Sequence, residues 1–211
     1  MRIADTHKIT IIGGGMSGLL LSILLAHRGI ASELFEGAAD PRKGAALGLG
    51  PAVLSLGERG RYALRRAGME DAVGKLVTAM RGRMIHDRRG EMTLQPYGIY
   101  AYEALYSISR ERLIHCLLDA AERSGKVDIH FGQQLQAIDW SAHTLSLDDA
   151  GERNFEVLFG TDGAGSRVRR SMQLASDLRI EQDLLDAGYK QLSIPASTGG
   201  QPPLDPHALH V

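Results

Sequence analysis

The sequence predicts an α/β protein in which a parallel sheet carries helices and is interrupted by an inserted antiparallel sheet. Three observations predict it. Four β-branched residues within 8–12, three of them apolar, lead straight into Gly13-Gly14-Gly15 and then into a helical apolar pattern. A second apolar stretch, Leu34-Phe35, follows that helix and ends in Glu36. Two short strand patterns around Arg88-Arg89-Gly90 then break the alternation of strand and helix.

Ile9, Thr10, Ile11 and Ile12 are all β-branched, and three of them are apolar, as a strand buried on both faces requires. The turn after them reads Gly13-x-Gly15-x-x-Gly18. Gly13 permits the sharp exit from the strand, Gly15 lets a pyrophosphate approach the backbone, and Gly18 lets helix and strand pack closely. The helix expected over residues 17–29 begins at Ser17 and offers unpaired N–H groups and a positive dipole end to an anion. This spacing also occurs in glycine turns that hold nothing, so Glu36 decides the matter. It lies about 20 residues past the glycines, where such folds hydrogen-bond a ribose. An acid there repels a 2′-phosphate, so the expected nucleotide is FAD or NAD rather than NADP. Together these features specify a Rossmann-type dinucleotide-binding fold.

At 211 residues the chain is long enough for one or two domains, and its 44% apolar and 23% charged residues are ordinary for a soluble globular protein. A net charge of −1 provides no field to recruit nucleic acid or an anionic membrane. Cys116 is the one cysteine, which rules out an internal disulfide and suggests a reducing compartment. Residues 1–7 are too polar for a signal peptide, and the longest apolar run, residues 19–26, is too short to span a bilayer. A cytoplasmic location is expected, with no membrane segment and no nucleic-acid partner.

Further along, residues 37–52 read as a loop. Residues 53–67 read as a helix turning Leu54 and Leu64 inward and stopping at Gly68, and residues 70–76 as a short helix. Residues 83–87 and 91–95 form the expected hairpin, the start of the inserted sheet. A strand over 105–108 meets Ser109, a good N-cap, and the helix over 110–123 is expected to bury Leu113, Cys116, Leu117 and Ala120. Cys116 reads as a core thiol. Residues 127–131 return to the parallel sheet, and residues 135–140, 143–147 and 155–159 suggest a meander. Residues 160–169 combine a strand end, an Asp-Gly turn and a helix start capped by Ser166, a second place where backbone could meet a polar ligand. Residues 188–195 read as another strand of the inserted sheet, and residues 207–211 as the start of one more. His207 and His210 lack a third ligand and read as ordinary residues, so no metal is expected. The chain ends as if in mid-sheet, and truncation at the C-terminus is expected.

Gly13-x-Gly15-x-x-Gly18, Glu36, Ser109-Arg110 and Asp162-Gly163-Ala164-x-Ser166-x-Val168-Arg169 together resemble the single-component FAD-dependent aromatic hydroxylases. Further segments are similar to the branch of that family that acts on kynurenine: Arg59-Gly60-Arg61-x-Ala63-Leu64, Arg81-Gly82-Arg83-Met84-Ile85-His86, Pro96-Tyr97-Gly98, Ser107-Ile108-Ser109-Arg110-Glu111 and Gly188-Tyr189-x-x-Leu192-x-Ile194-Pro195. The resemblance implies an FAD-binding domain over 1–78 and 104–178, and part of a substrate-binding sheet over 79–103 and 179–211. It implies NADPH as co-substrate and molecular oxygen and a small aromatic amino acid as reaction partners. The reaction would be L-kynurenine to 3-hydroxykynurenine, a step of tryptophan catabolism, with the flavin carrying the chemistry and no catalytic side chain. Gly13, Gly15, Ser17, Gly18, Glu36, Arg110, Leu135, Asp162 and Gly163 would contact the cofactors, the Asp-Gly motif touching both FAD and NADPH. Arg83 and Tyr97 would grip the amino-acid end of the substrate. They lie on or just past the two hairpin arms, and a guanidinium with a phenol can hold a carboxylate.

Two departures qualify the resemblance. Leu49-Gly50-Pro51-Ala52-Val53-Leu54 stands where the family has an Arg-Ser-Ile-Asn-like segment beside the flavin. A later Gly-Asp motif, the rest of the substrate sheet and the C-terminal helices are missing. The alternatives are a catalytically inactive FAD-binding fragment and a hydroxylase for another aromatic substrate.

Overall fold

The structure, a computed structural model, describes residues 9–44, 53–100, 102–188 and 203–211. In chain order its elements are β1 (Ile9–Ile12), α1 (Met16–Ala26), β2 (Ser32–Glu36), a 3-10 turn (Pro41–Lys43), β3 (Val53–Leu56), α2 (Glu58–Arg66), α3 (Glu70–Gly74), β4 (Thr78–Met80), β5 (Gly82–His86) and β6 (Met92–Pro96). They continue with β7 (Leu105–Ser109), α4 (Arg110–Arg123), β8 (Val127–Phe131), β9 (Leu135–Asp139), β10 (Thr144–Leu147), β11 (Gly151–Asn154), β12 (Val157–Gly160), α5 (Arg167–Ala175) and β13 (Ala208–His210). The chain divides into two compact units, residues 1–50 with 114–186 and residues 51–113 with 187–211.

The first unit is built on a parallel sheet of order β12-β1-β2-β8. The isoleucine run makes β1 central, with all four residues buried. Ile9 pairs with Val157 on one side and Ser32 on the other. Leu34 in turn pairs with Ile129, so residues 127–131 do return to the parallel sheet. α1 buries Gly18, Leu19, Ser22, Ile23 and Leu25. The buried stripe of α4 holds Leu113, Ile114, Leu117, Leu118 and Ala121. The expected Cys116 and Ala120 stand at its margin, half-buried, because the i, i+4 rows 113–117–121 and 114–118 form the apolar face. Burial still pushes the Cys116 thiol up, away from the thiolate that a nucleophile needs.

The meander is β11-β10-β9, and its third strand differs from expectation. Gly151, at φ +64°, turns the chain so that residues 151–154 close the meander against β10. The apolar run expected as its third strand instead crosses to the parallel sheet as β12, beside β1. Phe155, between the two, is buried in a cluster with Ile12, Phe35, Leu135, Leu145, Leu147 and Val168. This cluster binds the meander and α5 to the parallel sheet.

The second unit holds two sheets, β3-β7-β4 and β13-β5-β6. Residues 53–56, expected to be helical, form β3, because Val53-Leu54-Ser55-Leu56 alternates in exposure and pairs antiparallel with β7. Gly57, in extended conformation, then caps α2, and Gly68, at φ +64°, follows its end. The hairpin forms as expected. Gly90 has φ +83°, and Asp87 Oδ1 accepts from the N–H groups of Arg89 and Glu91, each at 2.8 Å. β13 joins β5 in parallel, so the inserted sheet is mixed rather than purely antiparallel. The strand expected over residues 188–195 falls, apart from Gly188, outside the described residues, as does most of the departure at residues 49–54.

Arg42 ties the loop after β2 to α4. Its guanidinium donates to Asp40 at 3.0 and 2.9 Å, to Glu122 at 2.7 Å twice, and to Asp119 at 3.2 Å. These bonds hold the Asp40 and Glu122 carboxyls below their ordinary values. Stabilisation from groups depressed in this way is complete above the unfolded carboxylate range and is lost as pH falls toward the folded values. Arg42→Ala, which leaves the buried Asp40 without its charged partner, is expected to cost about 1–3 kcal/mol at pH 7. Urea unfolding should show this difference shrinking below about pH 4.

Candidate nucleotide site

In the first unit the site is the crossing of α1 over the end of β1. Gly13 sits at φ +106°, and a Cβ there would lie 2.6 Å from the Thr161 backbone. A Cβ on Gly18 would lie 2.0 Å from the Gly13 carbonyl oxygen. A Cβ on Gly15 would meet nothing within 4 Å. Two of the glycines therefore serve packing, while the third keeps an opening at the start of a helix. Gly15 is also the N-cap of α1, which has no side-chain cap and no acid in its first turn. The first N–H groups of α1 stay available to an anion. Ser17 is exposed in that turn.

Glu36, at the end of β2, turns its carboxylate onto the loop. Oε2 accepts from the Gly14 N–H at 2.6 Å, and Oε1 from the Ala38 N–H at 2.8 Å. On the other side of β1, Thr161 follows β12, and its hydroxyl lies 2.9 Å from both the Ile12 and Gly13 carbonyl oxygens. Asp162 comes next and faces α5. Its carboxylate accepts from Ser166 Oγ at 2.5 Å and from the N–H groups of Arg167 and Val168 at 2.6 and 3.2 Å. Ser166 Oγ in turn accepts from the Arg169 N–H at 2.9 Å, so α5 has a double cap. Gly163, at φ +79°, makes the turn between them. Asp162, Gly163, Ser166 and Arg169 line an open depression of about 230 Å³. Leu135 has a buried side chain, and its carbonyl accepts from Arg167 Nη1 at 2.5 Å.

The structure thus brings Gly13, Gly15, Ser17, Gly18, Glu36, Asp162 and Gly163 to the C-terminal ends of adjacent parallel strands, where such sheets hold ligands. Sequence reasoning missed Thr161 and Arg167. A threonine before an aspartate carries no local signal, and the partners of Thr161 lie 148 and 149 residues away.

In the second unit, Arg83 pairs with Gln95 across the hairpin, and the Tyr97 N–H donates to the Arg81 carbonyl at 2.9 Å. The strand period of two therefore places Arg83 and Tyr97 on one face, diagonally opposed. Arg83 is exposed. The Tyr97 hydroxyl and Arg110 Nε are buried and find no hydrogen-bond partner among the described residues. Ser32 Oγ and His115 Nε2 are in the same state, so the feature is shared by two candidate binding residues and two others. No group of three or more His, Cys, Asp or Glu that could hold a metal occurs among the described residues. No described helix is long and apolar enough to cross a membrane.

A family model described as "FAD binding domain" matches residues 6–195. Among curated relatives, a kynurenine 3-monooxygenase from Myxococcus xanthus (strain DK1622) is 41% identical over 99% of this chain and 46% of its own length. One from Xanthomonas axonopodis pv. citri (strain 306) is 42% identical over 97% of this chain and 46% of its own length. The chain spans about half the length of the curated relatives it matches. Two solved structures share the fold. The p-nitrophenol 4-monooxygenase PnpA from Pseudomonas putida DLL-E4 has a TM-score of 0.65 at 18% identity, covering 79% of this chain and 44% of that one. PqsL from P. aeruginosa, in complex with 2-aminobenzoylacetate, has a TM-score of 0.66 at 20% identity, covering 85% and 48%.

Gly15→Ala and Gly18→Ala should separate the two uses of glycine. Gly15→Ala should melt within about 0.5 kcal/mol of wild type yet lose dinucleotide binding. Gly18→Ala should cost about 3 kcal/mol. Thermal melts and equilibrium dialysis against the dinucleotide check both.

Proposed function

Since the chain belongs to the FAD-binding domain family, we infer that it supplies the FAD-binding half and part of the substrate sheet of an NADPH-using monooxygenase that hydroxylates kynurenine. One observation carries this reading. Relatives named kynurenine 3-monooxygenase are 41–42% identical over 97–99% of the chain, a span that covers both the glycine loop and the hairpin.

The residues present fit the nucleotide half of FAD. The opening at Gly15 and the uncapped start of α1 suit its pyrophosphate. Glu36 uses one acceptor site on each oxygen for backbone N–H groups, which leaves a further site on each for two ribose hydroxyls. Arg110 would contact the flavin nucleotide, and Asp162, Gly163 and the Leu135 backbone would line the ribityl and pyrophosphate region. When bound, FAD supplies the redox chemistry that NADPH drives and molecular oxygen completes. Arg83 and Tyr97 would hold the substrate carboxylate through an ionic bond and a phenol O–H donor, fixing the ring's position. In functional terms the FAD-binding domain would run over 1–78 and 104–178, and the substrate sheet over 79–103 and 179–211. The chain would work in the cytoplasm.

A second reading, FAD binding without turnover, is favoured by the bare hairpin, since all five residues of β6 are exposed. Two measurements on the purified chain test these readings. Bound flavin absorbance is expected after incubation with FAD and desalting, and a colourless chain overturns both readings. Kynurenine is expected to stimulate NADPH oxidation in the flavin-loaded chain; flavin without stimulation leaves the second reading. Arg83→Ala should cut the kynurenine-stimulated rate about tenfold or more. An unchanged rate in that variant would remove Arg83 from the carboxylate-holding role.

A further inference from the structure

The peptide joining Gly13 to Gly14 is held at both ends by side chains from the two strands flanking β1. Its N–H donates to Glu36 Oε2 at 2.6 Å, at the end of β2. Its carbonyl oxygen lies 2.9 Å from the Thr161 hydroxyl, just past the end of β12. Both residues of this peptide are glycines, the type least able to hold a peptide plane by its own backbone preferences. In the observed orientation the carbonyl is turned under α1, against the Cα of Gly18, and away from the opening at Gly15. Rotated by half a turn, it would present its negative end to the Glu36 carboxylate and withdraw the N–H that now steadies that carboxylate.

We propose that Thr161 is a positioning residue for the dinucleotide, its hydroxyl locking the Gly13–Gly14 peptide so that the loop keeps its carbonyl off the anion and Glu36 stays set for the ribose. Thr161 touches no ligand group in this role and acts through Gly13. The geometry supports the assignment beyond one bond. The Thr161 N–H already donates to the Ile12 carbonyl at 2.8 Å, so the one hydroxyl proton, 2.9 Å from both the Ile12 and Gly13 carbonyls, is the bond that Gly13 has from this residue. The close fits of Gly13 and Gly18 against Thr161 leave its side chain little other room, with Oγ1 only 2.7 Å from where a Gly18 Cβ would be. Valine matches threonine in shape but cannot donate, and it would leave the Gly13 carbonyl facing a methyl group.

This inference rests on the FAD reading above, and its test uses the full chain. Thr161→Val and Thr161→Ser are titrated with FAD by flavin fluorescence. Backbone amide exchange is followed across residues 13–20 of the apoprotein, alongside thermal melts. Thr161→Val is expected to weaken FAD binding about tenfold and to speed exchange across the loop, while Thr161→Ser stays within about twofold of wild type. Equal FAD affinity in Thr161→Val and wild type overturns the assignment, even if the variant melts lower. So does a Thr161→Ser variant as weak as Thr161→Val. A wild-type chain that takes up no FAD overturns this inference together with the reading beneath it, a result distinct from binding that the valine leaves unchanged. Should Thr161→Val fail to fold, Thr161→Ala is titrated in its place, and FAD affinity equal to wild type then overturns the lock.

Discussion

The crossing of α1 over the end of β1 is the constraint on which the first unit depends. A helix lies so close to the Gly13 carbonyl, just past the end of the strand, that no side-chain atom fits between them at Gly18. That contact aims the start of α1 at the C-terminal ends of the strands, and with no side-chain cap and no acid in its first turn the helix leaves its N–H groups open to an anion. The order β12-β1-β2-β8 does the rest, since it puts the ends of three strands within reach of one loop. Glu36 and Asp162 are brought to the same region by pairings that are otherwise purely structural.

Polar groups divide into those already satisfied and those left over. The Asp162 carboxylate is spent largely on the start of α5, so its part at a ligand site is first to shape the turn. Arg42 is spent entirely on three carboxylates and acts as a fastener. The Tyr97 hydroxyl and Arg110 Nε are left over, and each comes from a segment that resembles a binding motif. Charged groups that find partners within the chain build the scaffold.

What the sequence made legible follows from how local each cause is. The glycines could be read because the positive φ of Gly13 and the contact of Gly18 with the Gly13 carbonyl are local, though Gly13 also packs on distant Thr161, and Glu36 because the length of α1 sets its distance. The hairpin could be read from Gly90 and the alternation around it. β3 could not, because Val53-Leu54-Ser55-Leu56 suits either state and its pairing with β7 decides, more than fifty residues away. The exchange of residues 151–154 for 155–159 in the meander was hidden for the same reason. β12 is drawn off by β1, a partner with no trace in the nearby sequence. Thr161 and Arg42 were invisible because each owes its importance to distant acceptors. Cys116 was misplaced by a smaller error, one row on a helix face.

The pairing of β1 with β12 also has a consequence for the order of assembly. The loop at Gly13 leaves the ribosome early, but its partner at Thr161 follows 148 residues later. At ordinary elongation rates of about 5–20 residues per second, the glycine loop waits roughly 8–30 s for the residue that holds its carbonyl. During that interval β1 carries four buried-type residues with one edge unpaired, a surface that invites pairing with other chains. The feature that gives the site its shape is therefore, among the described strands of this sheet, the last to close, and until then the nascent chain exposes a strand that its finished form buries at every residue.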